Sequence, residues 1–589
     1  MFDRNTLIAL VLVGLILLGL PYYYKLISPP APPEETVVEQ VTKPRPSEDI
    51  GDEEMISTQT AQKEFPADTS LAAASAADAP SIDSLPAEPY TPELVEIETP
   101  LYKMSIGSDG RPTSYVLEDY KLKSGPPVNL HAMATPKDSA IGSWDVDLGP
   151  RNVSSLRNLH FNPSTPRLFV PSGRDSLELN YTSPSGQRIT IYYVVDAEKY
   201  GFDLSFACSG FETPDTREYK LTWQGGVPST EPDPRSDHDF GGAYAQVGEE
   251  LEDEKLGSDE KVEFSATGRT EFVATRSKYF IAAMIPQSPA AGADMHGYTR
   301  NPKDTSIPQH YYTTLRMPWE GSRVDSRVHV YWGPIKKENL EVFGVGLENT
   351  MNWGWAIVKP FSLTVLWLLK FFGKFIHNYG FVIILFSLIV KVVLWPLTRK
   401  SQIAMKKMAA LKPELEALKE KHAKNPQALN GAMMALYKER GVNPAAGCIP
   451  MLFQMPILYG LFIVFRSTIE FRQAPFFGWI SDLSQPDAIM HLPFSIPLYG
   501  SSLGLLPIVM GVSQFFMSKA TMTDPNQKAM IYIMPVMMVL LFNNFPSGLT
   551  LYYTLFNLWA IVEQRLIKLP VPVPEAVVVE DKPKKKGKK

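Results

Sequence analysis

Lys391 is the residue whose chemistry stands out in this 589-residue chain. It is the single charge in the apolar stretch 379–397. A helix of that length, rising about 1.5 Å per residue, nearly matches a hydrocarbon core of roughly 30 Å. A charge inside it costs about 2.5–3.5 kcal/mol on insertion scales. Position alone leaves two readings open. Lys391 lies about 9 Å from the end of the stretch at helical rise, so its amine could snorkel to headgroups. Alternatively it belongs to a buried polar site. Ser387 sits one turn away on the same face, Gln454 interrupts the next apolar run, and Tyr552, Tyr553 and Asn557 punctuate the last. Polar groups in lipid need partners or water. Gathered together, these side chains would line a hydrated, positively charged groove open to the cytoplasm. Each alone could equally make an ordinary helix–helix hydrogen bond.

Such a groove would capture rather than transform. It could hold the polar, often acidic, tail of an entering protein while the neighbouring apolar segment slides into lipid. Met451, Met455, Met534, Met537 and Met538, with Leu458 and Leu541, would supply an adaptable apolar slide. Ordinary lipid-facing packing accounts for the methionines equally well. The cargo's own burial, at about 25 cal/mol per Å², would supply the energy. No nucleotide site is needed, and no Walker-type loop, HExxH or GxSxG occurs. Cys208 and Cys448 are the only cysteines and lie far apart, which disfavours a disulfide framework or a zinc site. The expectation is no catalytic residue, no metal, no cofactor and no small-molecule substrate.

Five apolar spans must position these residues: 379–397, 445–465, about 498–517, 529–545 and 549–562. The last two are short against the ~20 residues usually needed. An earlier run, 7–20, is followed by Pro21 and three tyrosines. No small-x-small cleavage site follows it, so it reads as a retained anchor rather than a signal peptide. Segment 399–444 carries ten Lys or Arg against four Glu. The positive-inside rule places it in the cytoplasm with the basic tail. Both termini are then cytoplasmic and the large segment between anchor and core lies outside. Met408, Leu411, Leu415 and Leu418 face Leu429, Met433 and Leu436 in a helical hairpin joined near 425, with Pro413 expected to kink its first helix. Lys406, Lys407, Lys419 and Lys421, with Lys585 and Lys586 of the tail, are expected to meet anionic lipid or ribosomal RNA.

The predicted organisation is a membrane anchor at 1–27, a disordered acidic linker at 28–95 and a β-sandwich at 96–350. An interfacial amphipathic helix at 351–378 follows, with Lys370, Lys374 and His377 on one face. The five-span core occupies 379–568 and the basic tail 569–589. The fold class is thus a polytopic α-helical membrane protein of six spans, with a large extracytoplasmic β-sandwich and a cytoplasmic helical hairpin. The β-sandwich rests on alternating stretches at 113–120, 177–182, 188–195, 202–207, 219–223, 262–266 and 327–332. It reads as a scaffold rather than a sugar- or peptide-binding cleft, and His238 and Asp239 read as a polar loop. A transporter using Lys391 would predict inverted repeats, and no internal repeat is visible. An anchored glycan-processing enzyme would leave the five spans unexplained.

Several motifs carry a resemblance. They are Pro396-Leu397-Thr398, Asn443-Pro444 with Gly447-Cys448-Ile449-Pro450, Gln454-Met455-Pro456 and Arg472-Gln473-Ala474-Pro475-Phe476. Further on come Trp479-Ile480 with Asp482-Leu483-Ser484, Thr523-Asp524-Pro525, and Phe545-Pro546-Ser547-Gly548-Leu549 before Tyr552-Tyr553. In their order and spacing they resemble the YidC/Oxa/Alb family of membrane protein insertases. Ser277-Lys278-Tyr279-Phe280 is a looser echo of its Gram-negative form. The resemblance implies a five-helix insertase core, a groove using Ser387, Lys391, Gln454, Tyr553 and Asn557, and insertion alone or with the Sec translocon. It implies a bacterial inner membrane as the location, and nascent membrane proteins, the ribosome, Sec components and membrane lipids as partners. The family usually has arginine where this chain has Lys391. Lysine keeps the charge and loses the bidentate fork.

Overall fold

A computed structural model of the chain describes residues 95–132, 141–233, 235–304, 307–319, 323–422, 425–443, 449–496, 499–521 and 528–566. The expected anchor, the linker to residue 94 and the tail from residue 567 lie outside these. The described residues belong to one unit, Thr91–Lys589.

Alternating runs broken by turns build the first half into two sheets. The smaller runs, in spatial order, Pro127–Asn129, Pro112–Lys121, Tyr102–Ile106, Val95–Glu98 and Arg167–Phe169. The larger has thirteen strands among the described residues. All seven alternating stretches expected from the sequence fall in strands. A strand not foreseen, Phe280–Pro286, lies between Lys261–Arg276 and Arg323–Pro334 and is buried at every position. Tyr102, Tyr115 and Trp332 stack in series, with ring centroids 4.5 and 4.2 Å apart, and carry the core from one sheet to the other. The Tyr102 hydroxyl donates to the Gly201 carbonyl at 2.6 Å. Gly201 has φ +90°, and a Cβ there would stand 1.9 Å from the Val330 carbonyl oxygen, so glycine is required.

Two short helices, α1 (Arg235–Phe240) and α2 (Lys337–Glu341), punctuate this region. Then α3 (Lys359–Gly373) exposes Phe361, Trp367 and Phe371 on one side. Lys370 is not left on a free basic face, because it pairs with Glu338 at 2.6 Å and Glu470 at 3.1 Å.

The long helix α4 (Tyr379–Ala410) starts at Asn378, whose side-chain oxygen accepts from the Gly380 amide at 2.9 Å. It continues thirteen residues past the expected end at Leu397, so the apolar span and the start of the basic segment are one helix. The break comes at Leu411. Pro413 lies in the first turn of α5 (Lys412–Lys421), where a missing N–H costs nothing, so it opens a helix instead of kinking one. Leu411 and Leu415 pack with Tyr437 and Val442, at and just beyond α6 (Pro426–Glu439). Arg440 pairs with Glu414 at 3.1 Å on the rim.

The remaining helices are α7 (Ile449–Ser467), α8 (Leu505–Thr521), α9 (Lys528–Phe542) and α10 (Ser547–Leu566). The apolar pattern places the start of α8 near residue 498. Instead Met490–Ile496 and Gly500–Leu503 pair as a hairpin. Gly500, the first residue of the second strand, takes φ +92°. Asn543 accepts from the Gly504 amide at 3.0 Å and Asp487 from the Leu506 amide at 2.6 Å, which fixes the helix start. Among the described residues, α4 is the helix long and apolar enough by itself to cross a membrane; α7, α8 and α9 hold shorter apolar runs.

Candidate functional site

Helices α4 and α10 meet along a buried seam on which polar and aromatic side chains alternate. Residue numbers rise in step along both helices, so the two run parallel. Phe386 lies 5.9 Å from the Tyr552 ring, centroid to centroid. Ser387 is fully buried; its hydroxyl donates to the Ile384 carbonyl at 2.7 Å and accepts from the Trp559 indole at 3.1 Å. Lys391 is 8% exposed, and its amine stands 4.6 Å from the centre of the Phe556 ring. That amine pairs with Glu563 Oε2 at 2.7 Å, and Glu563 is itself 6% exposed. The Thr398 hydroxyl donates to Glu563 Oε1 at 2.8 Å.

The seam answers the cost of placing Lys391 in an apolar helix. An ion loses several kcal/mol on leaving water, and a close counter-ion in low dielectric repays it only when the remaining polar atoms are also bonded. Thr398 supplies that bond to the carboxylate, and the Phe556 face adds a cation–π contact. The expectation of a net positive site therefore needs a correction. Lys391 is matched by Glu563, and the pair is neutral as a unit.

Not all the residues singled out from the sequence join this ladder. Tyr552 does, although its hydroxyl lacks a hydrogen-bond partner among the described residues. Asn557 points to α8, donating to the Ser513 hydroxyl at 3.1 Å. Beside it, Gln514 donates to the Ser518 hydroxyl at 3.4 Å, so a second polar cluster lies between α8 and α10. Tyr553 packs on Phe542 of α9, 5.2 Å between ring centres. Gln454 is half-buried on α7, and its amide nitrogen has no partner among the described residues.

The slide residues divide between two helices. Helix α7 carries Met451, Met455 and Leu458, and α9 carries Met537, Met538 and Leu541. Met455 and Leu541 are about half exposed, while Leu458 and Met538 pack partly against the core. Of the basic residues expected to face lipid or RNA, Lys406 donates to the Gln564 carbonyl at 3.1 Å, in the last turn of α10. A cation there is favoured by the helix dipole. Lys407, Lys419 and Lys421 are exposed, and Lys585 and Lys586 lie outside the described residues.

Thr398, Phe556, Trp559 and Glu563 were not singled out as site residues from the sequence. The face Tyr552, Phe556, Trp559, Glu563 repeats with helical 4-3-4 spacing, a signal that would have found the acid. The fixed junction between the β-rich domain and the helical core was also not foreseen. Arg472 and Glu231, both nearly fully buried, pair at 2.6 Å. Gln473 donates to the Lys121 carbonyl at 2.9 Å. Asp239, read from sequence as part of a polar loop, pairs with Arg466 of α7.

Residues 371–572 match the family model described as 60Kd inner membrane protein, and residues 94–364 match the YidC periplasmic domain. A relative from Chloroherpeton thalassium, named membrane protein insertase YidC, is 33% identical over 100% of this chain and 99% of its own length. Another of the same name, from Chlorobaculum parvum, is 32% identical over 97% of this chain and 95% of its own. A crystal structure described as an active YidC insertase with its first transmembrane domain resolved is 16% identical. It covers 80% of this chain and 93% of that one, with a TM-score of 0.35.

Proposed function

The chain belongs to the YidC family of membrane protein insertases, and from that premise we propose that the α4–α10 seam receives the polar part of a nascent membrane protein while its apolar part passes into lipid. The observation that carries this reading is the Lys391–Glu563 pair, held at 2.7 Å between two otherwise apolar helices. Ionisable residues inside membrane helices are expensive to keep and mark the path of a polar cargo. Ser387, Trp559 and Thr398 bond the walls of that path.

α4, α7, α8, α9 and α10 form a five-span core, with the N-terminal run as a sixth span. Short spans such as α9 require the bilayer to thin locally, which also lowers the barrier to an entering polar segment. The α5–α6 hairpin and both termini face the cytoplasm, and the β-rich domain faces the periplasm. Cargo then approaches from the hairpin side, from the ribosome directly or together with the Sec translocon. Met451, Met455, Leu458, Met537, Met538 and Leu541 offer the departing segment an apolar, adaptable surface. Asn557 with Ser513, and the amide of Gln454, give polar stations off the main seam. No step requires a catalytic residue or a cofactor.

A photo-crosslinking residue at position 387 or 559 tests the route in ribosome-bound insertion intermediates. Crosslinks to the nascent chain that appear during insertion and vanish on release support it. Crosslinks confined to positions on the far side of α8 would place the route elsewhere.

A further inference from the structure

Glu563 has no assigned part in the capture of cargo, yet it is the group that Lys391 touches. Both side chains are buried, and the carboxylate is held twice: Oε2 on the Lys391 amine at 2.7 Å and Oε1 on the Thr398 hydroxyl at 2.8 Å. A carboxylate from an entering chain cannot simply add to this pair. It must displace Glu563, which then stays behind as a buried, uncompensated charge, and that is the expensive outcome for a broken ion pair. A segment bringing one acidic and one basic side chain avoids this penalty. Its carboxylate takes Lys391 and its cation takes Glu563, so every charge leaves with a partner. An uncharged polar segment leaves the resident pair intact.

We propose that Glu563 is the charge-selecting residue of the seam, setting it to accept uncharged or charge-balanced polar segments ahead of purely acidic ones. The proposal rests on the insertase reading above and makes Glu563, with Lys391, a specificity-determining residue. The sign of the selection follows from the pair. Removing the Glu563 charge leaves Lys391 without its counter-ion and turns the seam into an anion acceptor. Exchanging the two charges keeps a neutral pair and keeps the selection.

The test uses the purified full chain in liposomes and one single-span substrate with three tails: two acidic residues, no charge, or one acidic and one basic residue. The readout is the protease-protected fraction of each, compared within one preparation. The wild-type protein protects the uncharged and balanced tails better than the acidic one. E563Q raises the acidic-to-uncharged ratio about tenfold, equivalent to about 1.4 kcal/mol. The exchanged pair, Lys391→Glu with Glu563→Lys, returns the ratio to the wild-type value. An unchanged ratio in E563Q overturns the proposal, and so does an equal loss for all three tails, which would make Glu563 structural only. Absence of protection by the wild type for every tail would instead overturn the insertase reading, so the two failures are separable.

Discussion

Lys391 of α4 and Glu563 of α10 form a buried ion pair at 2.7 Å, with Thr398 bonded to the second carboxylate oxygen. The pair joins the helix that continues into the basic segment to the last helix of the core. Lys406 makes a second tie between the same two helices, at the Gln564 carbonyl. Whatever moves one of these helices at this level moves the other.

Substitutions at position 391 should follow the pair. Lys391→Arg keeps a cation within reach of Glu563 and should retain insertion and thermal stability. Lys391→Glu places two carboxylates together beside Thr398. Loss of a buried partner costs about 3–5 kcal/mol, so this variant should lose insertion and melt earlier in detergent. Equal activity of the two variants in an insertion assay would contradict a charged seam.

The sequence showed one half of this site and hid the other. Lys391 was legible because a single charge in an apolar stretch of membrane length demands an explanation. Glu563 was not, because the final apolar run reads as ending at Val562 and an acid just beyond looks like flanking solvent. Asn557 looked like part of the same groove, yet in a helix it lies about 200° around the axis from Trp559 and so faces α8. In the β-rich domain, alternating strands such as Arg188–Asp196 were readable from their period of two. Phe280–Pro286, buried on both faces, has no alternation to read. The Arg472–Glu231 junction joins residues from separate domains, and nothing local in either stretch points to the other.

That junction should behave as a buried ion pair. Arg472→Ala strands Glu231 and should lower stability by about 3–5 kcal/mol, whereas the double variant Arg472→Met, Glu231→Leu should lie near the wild type. Thermal unfolding of the full chain in detergent checks both. A double variant as unstable as the single would show that the pair is more than a matched charge.

Gly380 sits where α4 meets the segment carrying the Arg472-Gln473-Ala474-Pro475-Phe476 motif. A Cβ there would stand 1.8 Å from Phe476 Cδ2. Gly380→Ala should therefore destabilise the chain by about 1–3 kcal/mol through overpacking. Adding Phe476→Leu should recover part of the loss in the same melting experiment.

The β-rich domain should weaken in mild acid through His131. Burial, helped by the nearby Arg111 charge, lowers its pKa to about 4. The unfolded chain binds that proton near pH 6.5 and the folded chain does not, so stability falls as pH drops from about 6.5 towards 4. The full contribution of this one group is on the order of 3 kcal/mol and is constant below pH 4. His131→Gln should flatten the melting temperature over that pH window. A slope equal to the wild type's would assign the acid sensitivity elsewhere.

We propose that this chain can insert a small membrane protein without the Sec translocon. The most direct test is protease protection of a small single-span protein translated in the presence of liposomes, with or without the purified chain in the bilayer. Protection that depends on the wild-type chain, survives Lys391→Arg and disappears with Lys391→Glu is the predicted result. Protection no greater than that of empty liposomes would contradict it.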